Sequence, residues 1–246
     1  MINTQTETHI HSFRGKSFKF ECYTTNTHLG SQFHPTWYSI EVDEESVRER
    51  WWKMEGGDWI FDVGAAYGSY TLPALATGAE RIFAWCLEGM PEELPEAQLL
   101  PRSLALNGWE TRGEVYNTGL YSKDGWLNVQ TQEFSRVDPG FAIRCQGPWF
   151  QVSKLDTWLE RLSKQHDFSV ARPYWLKLDV EGAEVEVLKG AKNLIGKLRP
   201  RILLENHTFK DATIPARVEA LLETYGYKLV ETVPYHAVSH SFYLPV

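Results

Sequence analysis

From Asp58 onward the chain alternates short apolar runs with segments of helical period. DWIFDV predicts a strand, GAAYGSYTLPALATGA a glycine-bearing turn with a short helix ending near Gly78, and RIFAWCLE a second strand. Pro91 to Leu106 reads as the next helix, closed by Asn107-Gly108, and GEVYNTGL as a third strand. WLNVQTQEF and PWFQVSKL read as additional strands on either side of the turn-rich SRVDPGFAIRCQG, where strict alternation lapses. SKLDTWLERLSKQ has helical spacing and YWLKLDV reads as a buried strand. EGAEVEVLKGAKNLI predicts one amphipathic helix with Val185, Leu188 and Ala191 on one face, and PRILLEN a further strand. A helix over Pro215 to Tyr225 and the strands YKLVETV and SFYLPV close the pattern. Such alternation predicts an α/β fold with a doubly wound, mostly parallel sheet.

Ahead of Asp58 lie a strand, SFKFECYT, and a helix, EESVRERWWKM, joined by NTHLGSQFHPTWY. This stretch is too short to hold its own core, so residues 1–57 read as an N-terminal cap on a domain spanning 58–246. The region 122–152 reads as a β insert.

Composition narrows the function classes. Net charge is −7 with the basic residues scattered, which disfavours a nucleic acid held by phosphate contacts. No apolar run is long enough to span a bilayer and the N-terminus is polar, so the expected location is cytoplasmic. Cys22, Cys86 and Cys145 lack C-x-x-C spacing and read as buried small residues. The ten tryptophans could stack on flat ligands, but packing is their ordinary role.

The sharpest local signal is Asp62-Val63-Gly64-Ala65-Ala66-Tyr67-Gly68 between a strand and a helix. Glycines there permit a sharp turn and close ligand approach, and the helix start offers free N–H groups. A dinucleotide loop needs a glycine where Ala66 stands, to admit a pyrophosphate. S-adenosylmethionine carries no phosphate, so the loop residues Gly64, Ala65, Tyr67 and Gly68 read as a pocket for it, with Asp62 meeting the methionyl ammonium directly or through water. The next strand should end in an acid for the ribose diol, which places Glu88 there rather than Glu92 or Glu93.

LKLDVEGAEVEVLKGA and RILLENH supply two further acid-ended strands. Ligands of open α/β sheets bind beyond the strands' carboxyl ends, which gathers Asp179, Glu181, Glu205, Asn206 and His207 near the glycine loop. DVGAAYGSYT, LKLDVEGAEVEVLKGA and ILLENH, in this order and with SLALNG between them, closely resemble the FkbM family of methyltransferases over Gly57 to His207. The resemblance implies a class I, Rossmann-like methyltransferase fold acting on an oxygen, often a hydroxyl of a sugar or natural product. It carries over to Asp62, Gly64, Gly68, Asp179, Glu181 and Glu184. The chain departs from the family at Leu87-Glu88-Gly89-Met90-Pro91, where proline usually follows the glutamate directly.

Roles at the second constellation stay open. Asp179, Glu181, Glu205 and His207 are the candidate catalytic residues, and Asp179 also lies where it could touch the cofactor. Asp179 acts either as the general base or, with Glu205 and Asn206, as an oxygen-only ligand set for magnesium, as in catechol-type methyltransferases. Glu181 equally shapes its turn, Glu184 equally complements the helix dipole, and His207 equally lies at the surface. The remaining histidines show no paired metal-ligand spacing. Two other functions compete with methyl transfer: a fold retained for binding without chemistry, and a nicotinamide-dependent oxidoreductase.

Overall fold

The computed structural model describes residues 6–23, 42–86, 98–128, 131, 133–136, 149–235 and 238–246. A seven-stranded sheet forms its centre, in the order β12-β13-β11-β10-β3-β4-β5. The strands are β3 (Trp59–Val63), β4 (Arg81–Trp85), β5 (Gly113–Tyr116), β10 (Tyr174–Leu178), β11 (Arg201–Asn206), β12 (Tyr227–Tyr235) and β13 (Val238–Pro245). The first five run parallel, and β13 lies antiparallel between β11 and β12. Strand order reverses between β3 and β10, the switch point where open α/β sheets bind ligands.

Every residue of β3 and β10 is buried, because helices cover both faces. Alternation sends Trp59, Phe61 and Val63 into one core, with Phe83, Trp85, Leu176 and Leu178. That core includes α4 (Leu155–Leu162), α5 (Glu184–Gly190), α6 (Lys192–Leu198) and α7 (Ile214–Thr224). Ile60, Ile82, Trp175 and Leu203 face the other core. It holds α1 (Val42–Trp51), α2 (Thr71–Thr77), α3 (Leu99–Leu106) and the hairpin of β1 (Thr6–Phe13) and β2 (Lys16–Tyr23). Trp51, Trp52, Trp59, Trp85 and Trp175 are buried in these two cores.

Four expectations change. The polar N-terminus contributes β1, paired along its length with β2, and Phe13, Phe18 and Phe20 seal the hairpin into the second core. The Ser103 hydroxyl and the Asn107 side chain accept the Glu21 and Lys19 amides, tying the hairpin to α3. GEVYNTGL divides: β5 stays in the main sheet while β6 (Gly119–Leu120) leaves for a four-stranded sheet with β9 (Trp149–Ser153), β7 (Gly125–Asn128) and β8 (Phe134–Ser135). WLNVQTQEF likewise divides, between β7 and β8. EGAEVEVLKGAKNLI breaks into α5 and α6 at Ala191, whose ψ of 11° leaves the helix, and the preceding Gly190 passes the Tyr121 backbone so closely that a Cβ there would lie 2.2 Å from its carbonyl oxygen.

Cys22 and Cys86 are buried thiols that donate to the Glu7 and Ala66 carbonyls, and burial with Glu7 and Glu21 pushes the Cys22 thiol up to about 12. Among the described residues no helix is long and apolar enough to cross a membrane. The loop NTHLGSQFHPTWY, the start of the Pro91 helix, Glu88, Glu92, Glu93 and Cys145 lie outside the described residues.

Candidate active site

The turn after β3 is a run of left-handed backbone: Gly64 at φ 79°, Ala66 at 46° and Gly68 at 98°. For Ala66, at the dinucleotide loop's second-glycine position, that conformation is strained. Gly64 has a reason unrelated to ligand access. A Cβ at this position would sit 1.7 Å from the Asp179 carbonyl oxygen, so the turn and the end of β10 are in backbone contact. At Gly68 a Cβ would meet the Leu100 side chain at 2.6 Å, which lets α3 pack against the turn.

Asp62, expected to face the cofactor, is fully buried. The Thr71 hydroxyl donates to its Oδ2 at 2.6 Å, and Lys177 Nζ lies 3.7 Å from its Oδ1. Burial pushes the Asp62 carboxyl above its usual range, against the opposing pull of Lys177 and Thr71. Lys177, itself buried in β10, also donates to the Gly64 carbonyl at 3.0 Å and to Asp179 Oδ2 at 3.1 Å. One ammonium thus ties together the acid before the turn, the turn itself and the acid beyond β10. Sequence reasoning passed over Lys177, although a lysine inside an apolar strand, two residues before an acid and on its face, is a readable signal.

Asp179 is the more open aspartate, with 28% of its side chain exposed. Its Oδ1 lies 3.5 Å from His207 Nε2, which is also 3.6 Å from Glu205 Oε1 and 3.8 Å from Glu181 Oε1. His207 is buried rather than superficial, and its Nδ1 donates to Glu184 Oε1 at 2.5 Å. Burial disfavours the imidazolium, but Glu184, Asp179 and Glu205 outweigh it and raise the His207 pKa. Glu184, fully buried, also accepts the Gly182 amide at 3.0 Å, so this glutamate braces the β10 turn and the histidine together. Glu181 takes a left-handed φ of 52° at that turn with its side chain largely exposed. His240, also buried, places Nε2 3.4 Å from Glu205 Oε2.

Asn206 does not join the group. Its amide donates to Ser241 Oγ at 2.9 Å and to Ser239 O at 3.2 Å, both on β13. Successive strand residues point to opposite faces, so Glu205 and Asn206 diverge while Glu205 and His207 meet. The oxygen-only magnesium set of Asp179, Glu205 and Asn206 is therefore not assembled. A cleft of about 730 Å³ opens beside Glu181, between the β10 turn and the small sheet. Leu120, Leu127, Phe150 and Val152 give it an apolar wall, and Glu181 and Lys210 a charged one.

A parallel sheet ending in one antiparallel strand inserted next to the last, with its glycine turn at the switch point, defines a class I methyltransferase fold. The Methyltransferase FkbM domain model matches residues 62–229, and the chain belongs to that family. The fold is similar to that of a methyltransferase FkbM from Methylobacillus flagellatus KT, at TM-score 0.51 and 15% identity over 75% of this chain. It is also similar to a putative SAM-dependent methyltransferase from Streptococcus mutans, at TM-score 0.52 and 9% identity over 97% of this chain. The chain spans 42% and 55% of those two proteins, respectively. No curated protein matches this sequence.

Proposed function

We propose that this chain transfers a methyl group from S-adenosylmethionine to a hydroxyl of a sugar or small metabolite. The observation that carries this reading is the backbone contact between the Gly64 turn and Asp179, which sets a cofactor-type turn directly against an open group of acids. The residues fit the cofactor chemically: the turn brings backbone close without a phosphate-admitting glycine at Ala66, and Asp179 offers a carboxylate beside it. Gly64, Ala65, Tyr67 and Gly68 would hold its methionyl and ribose portions, with Glu88 on the diol. When bound, S-adenosylmethionine supplies an electrophilic methyl group and leaves as S-adenosylhomocysteine.

The chain's own residues align the acceptor and take its proton. The cleft admits a small molecule against the apolar wall of Leu120, Leu127, Phe150 and Val152, and its volume suits one. Asp179 Oδ2 is held by Lys177, leaving Oδ1 on the His207 side to receive the hydroxyl proton. A net charge of −7 disfavours nucleic acid as acceptor.

Titration calorimetry with S-adenosylhomocysteine tests the cofactor, and saturable binding is expected; its absence would refute the assignment. Incubation with S-adenosylmethionine and a panel of hydroxylated sugars and metabolites tests the acceptor. The expected product carries a methyl ether by NMR, and methylation at nitrogen or carbon would contradict the reading.

A further inference from the structure

We propose that Asp179, Glu205 and His207 form a site for a first-row divalent transition-metal ion, with His207 Nε2 as its nitrogen ligand. One ligand atom from each of the three lies within 4.8 Å of the others. Nε2 stands 3.5 Å from Asp179 and 3.6 Å from Glu205, beyond the roughly 2.7–3.2 Å of an N–H···O hydrogen bond. Two donors that share an ion at about 2.0–2.2 Å each are separated by roughly 3–3.5 Å, a spacing that these contacts approach.

The histidine gives evidence independent of the acids. Its side chain is 2% exposed, its Nδ1 is hydrogen-bonded to Glu184, and Nε2 is aimed into the group. A carboxylate on the far ring nitrogen is the arrangement that fixes the tautomer and orientation of metal-bound imidazoles. Each acid is held in a matching way. Asp179 is held at Oδ2 by Lys177 and Glu205 has His240 beside Oε2, so in both the other oxygen faces Nε2.

Two carboxylates with one imidazole favour manganese, iron, cobalt or zinc over magnesium, which prefers oxygen ligands alone. Three protein ligands leave coordination positions for an acceptor oxygen. There the ion would act as a Lewis acid, so that the hydroxyl proton would pass to solvent while Asp179 Oδ1 holds the ion instead of receiving that proton. That role rests on the O-methylation reading, whereas binding of the ion does not. A second group of possible ligands, Glu7, His9 and Cys22 on the hairpin, serves as a contrast, because it lies away from the glycine turn and its Cys22 thiol already donates to the Glu7 carbonyl.

The test is titration of the chelator-stripped full chain with Co²⁺, followed by visible absorption and calorimetry. One ion per chain is expected, and His207→Gln and Asp179→Asn should each weaken binding at least about tenfold. Glu7→Gln should leave it unchanged. Circular dichroism verifies that each variant is folded, and Glu205→Gln supplies the same test if His207→Gln does not fold. Absence of a single site up to roughly 1 mM Co²⁺, or binding indifferent to the folded variants, overturns the inference. S-adenosylhomocysteine binding retained in that case would leave the proposed function standing.

Discussion

Two central strands carry the same Asp-Val pair, DVG at the end of β3 and DVEG just beyond β10, each followed by a turn and a helix, yet the two aspartates meet opposite surroundings. Asp62 is sealed between Thr71 and Lys177 with no exposed surface. Asp179 keeps part of its carboxylate open toward His207 and Glu205. Both turns hold a non-glycine residue in left-handed backbone, Ala66 in one and Glu181 in the other. The comparison separates two acids that look identical in sequence: the first braces the turn, and the second is the one to which the proposed function gives the chemistry. Lys177, touching both aspartates, couples them.

The comparison breaks most visibly at the glycines. Gly64→Val forces a side chain into the Asp179 carbonyl and should destabilise the fold by more than about 4 kcal/mol in urea unfolding. The loss would come from packing, so this variant cannot report on cofactor access. At the second turn, a Cβ on Gly182 would lie 3.2 Å from Lys210 Cβ at φ 104°, so Gly182→Ala should lose only about 1–2 kcal/mol. Equal losses at the two positions would erase the distinction.

Lys177→Met leaves buried Asp62 without its cation and should destabilise by about 3–5 kcal/mol. Adding Asp62→Asn to that variant should recover part of the loss, because the uncompensated charge is then gone. Additive destabilisation in this double-mutant cycle would mean that the pair is not coupled. A smaller effect is expected at Glu88, the acid proposed for the ribose: Glu88→Ala should weaken S-adenosylhomocysteine binding by about 1–3 kcal/mol in calorimetry, with Glu92→Ala nearly silent. The reverse order would move the contact to Glu92.

Much of this was legible from periodicity. Strands buried on both faces read as continuous apolar runs, so WIFDV and YWLKL stood out, as did the glycine turn between Asp62 and Thr71. The small sheet was harder to read because β6 and β8 are two-residue strands whose partners are distant in sequence. The break after Gly190 was hidden because helical period runs through it, and the turn of the backbone at Ala191 leaves no mark in that pattern. At the site, Asp179, Glu181, Glu205 and His207 were named and lie together. Grouping Asn206 with Glu205 overlooked strand alternation, which joins Glu205 to His207 instead. Glu184 read as a dipole residue because nothing in the sequence reveals that His207 reaches back to it.

The central claim is that Asp62 braces while Asp179 acts, and the most direct measurement compares Asp62→Asn with Asp179→Asn. It records thermal stability, S-adenosylhomocysteine affinity and the rate of S-adenosylhomocysteine release with an accepted hydroxyl substrate. Asp179→Asn should keep its melting temperature and its affinity while turnover falls by about 10²–10⁴-fold. Asp62→Asn should lower the melting temperature. Near-normal turnover by a folded Asp179→Asn protein, with the loss appearing in Asp62→Asn instead, would contradict the account.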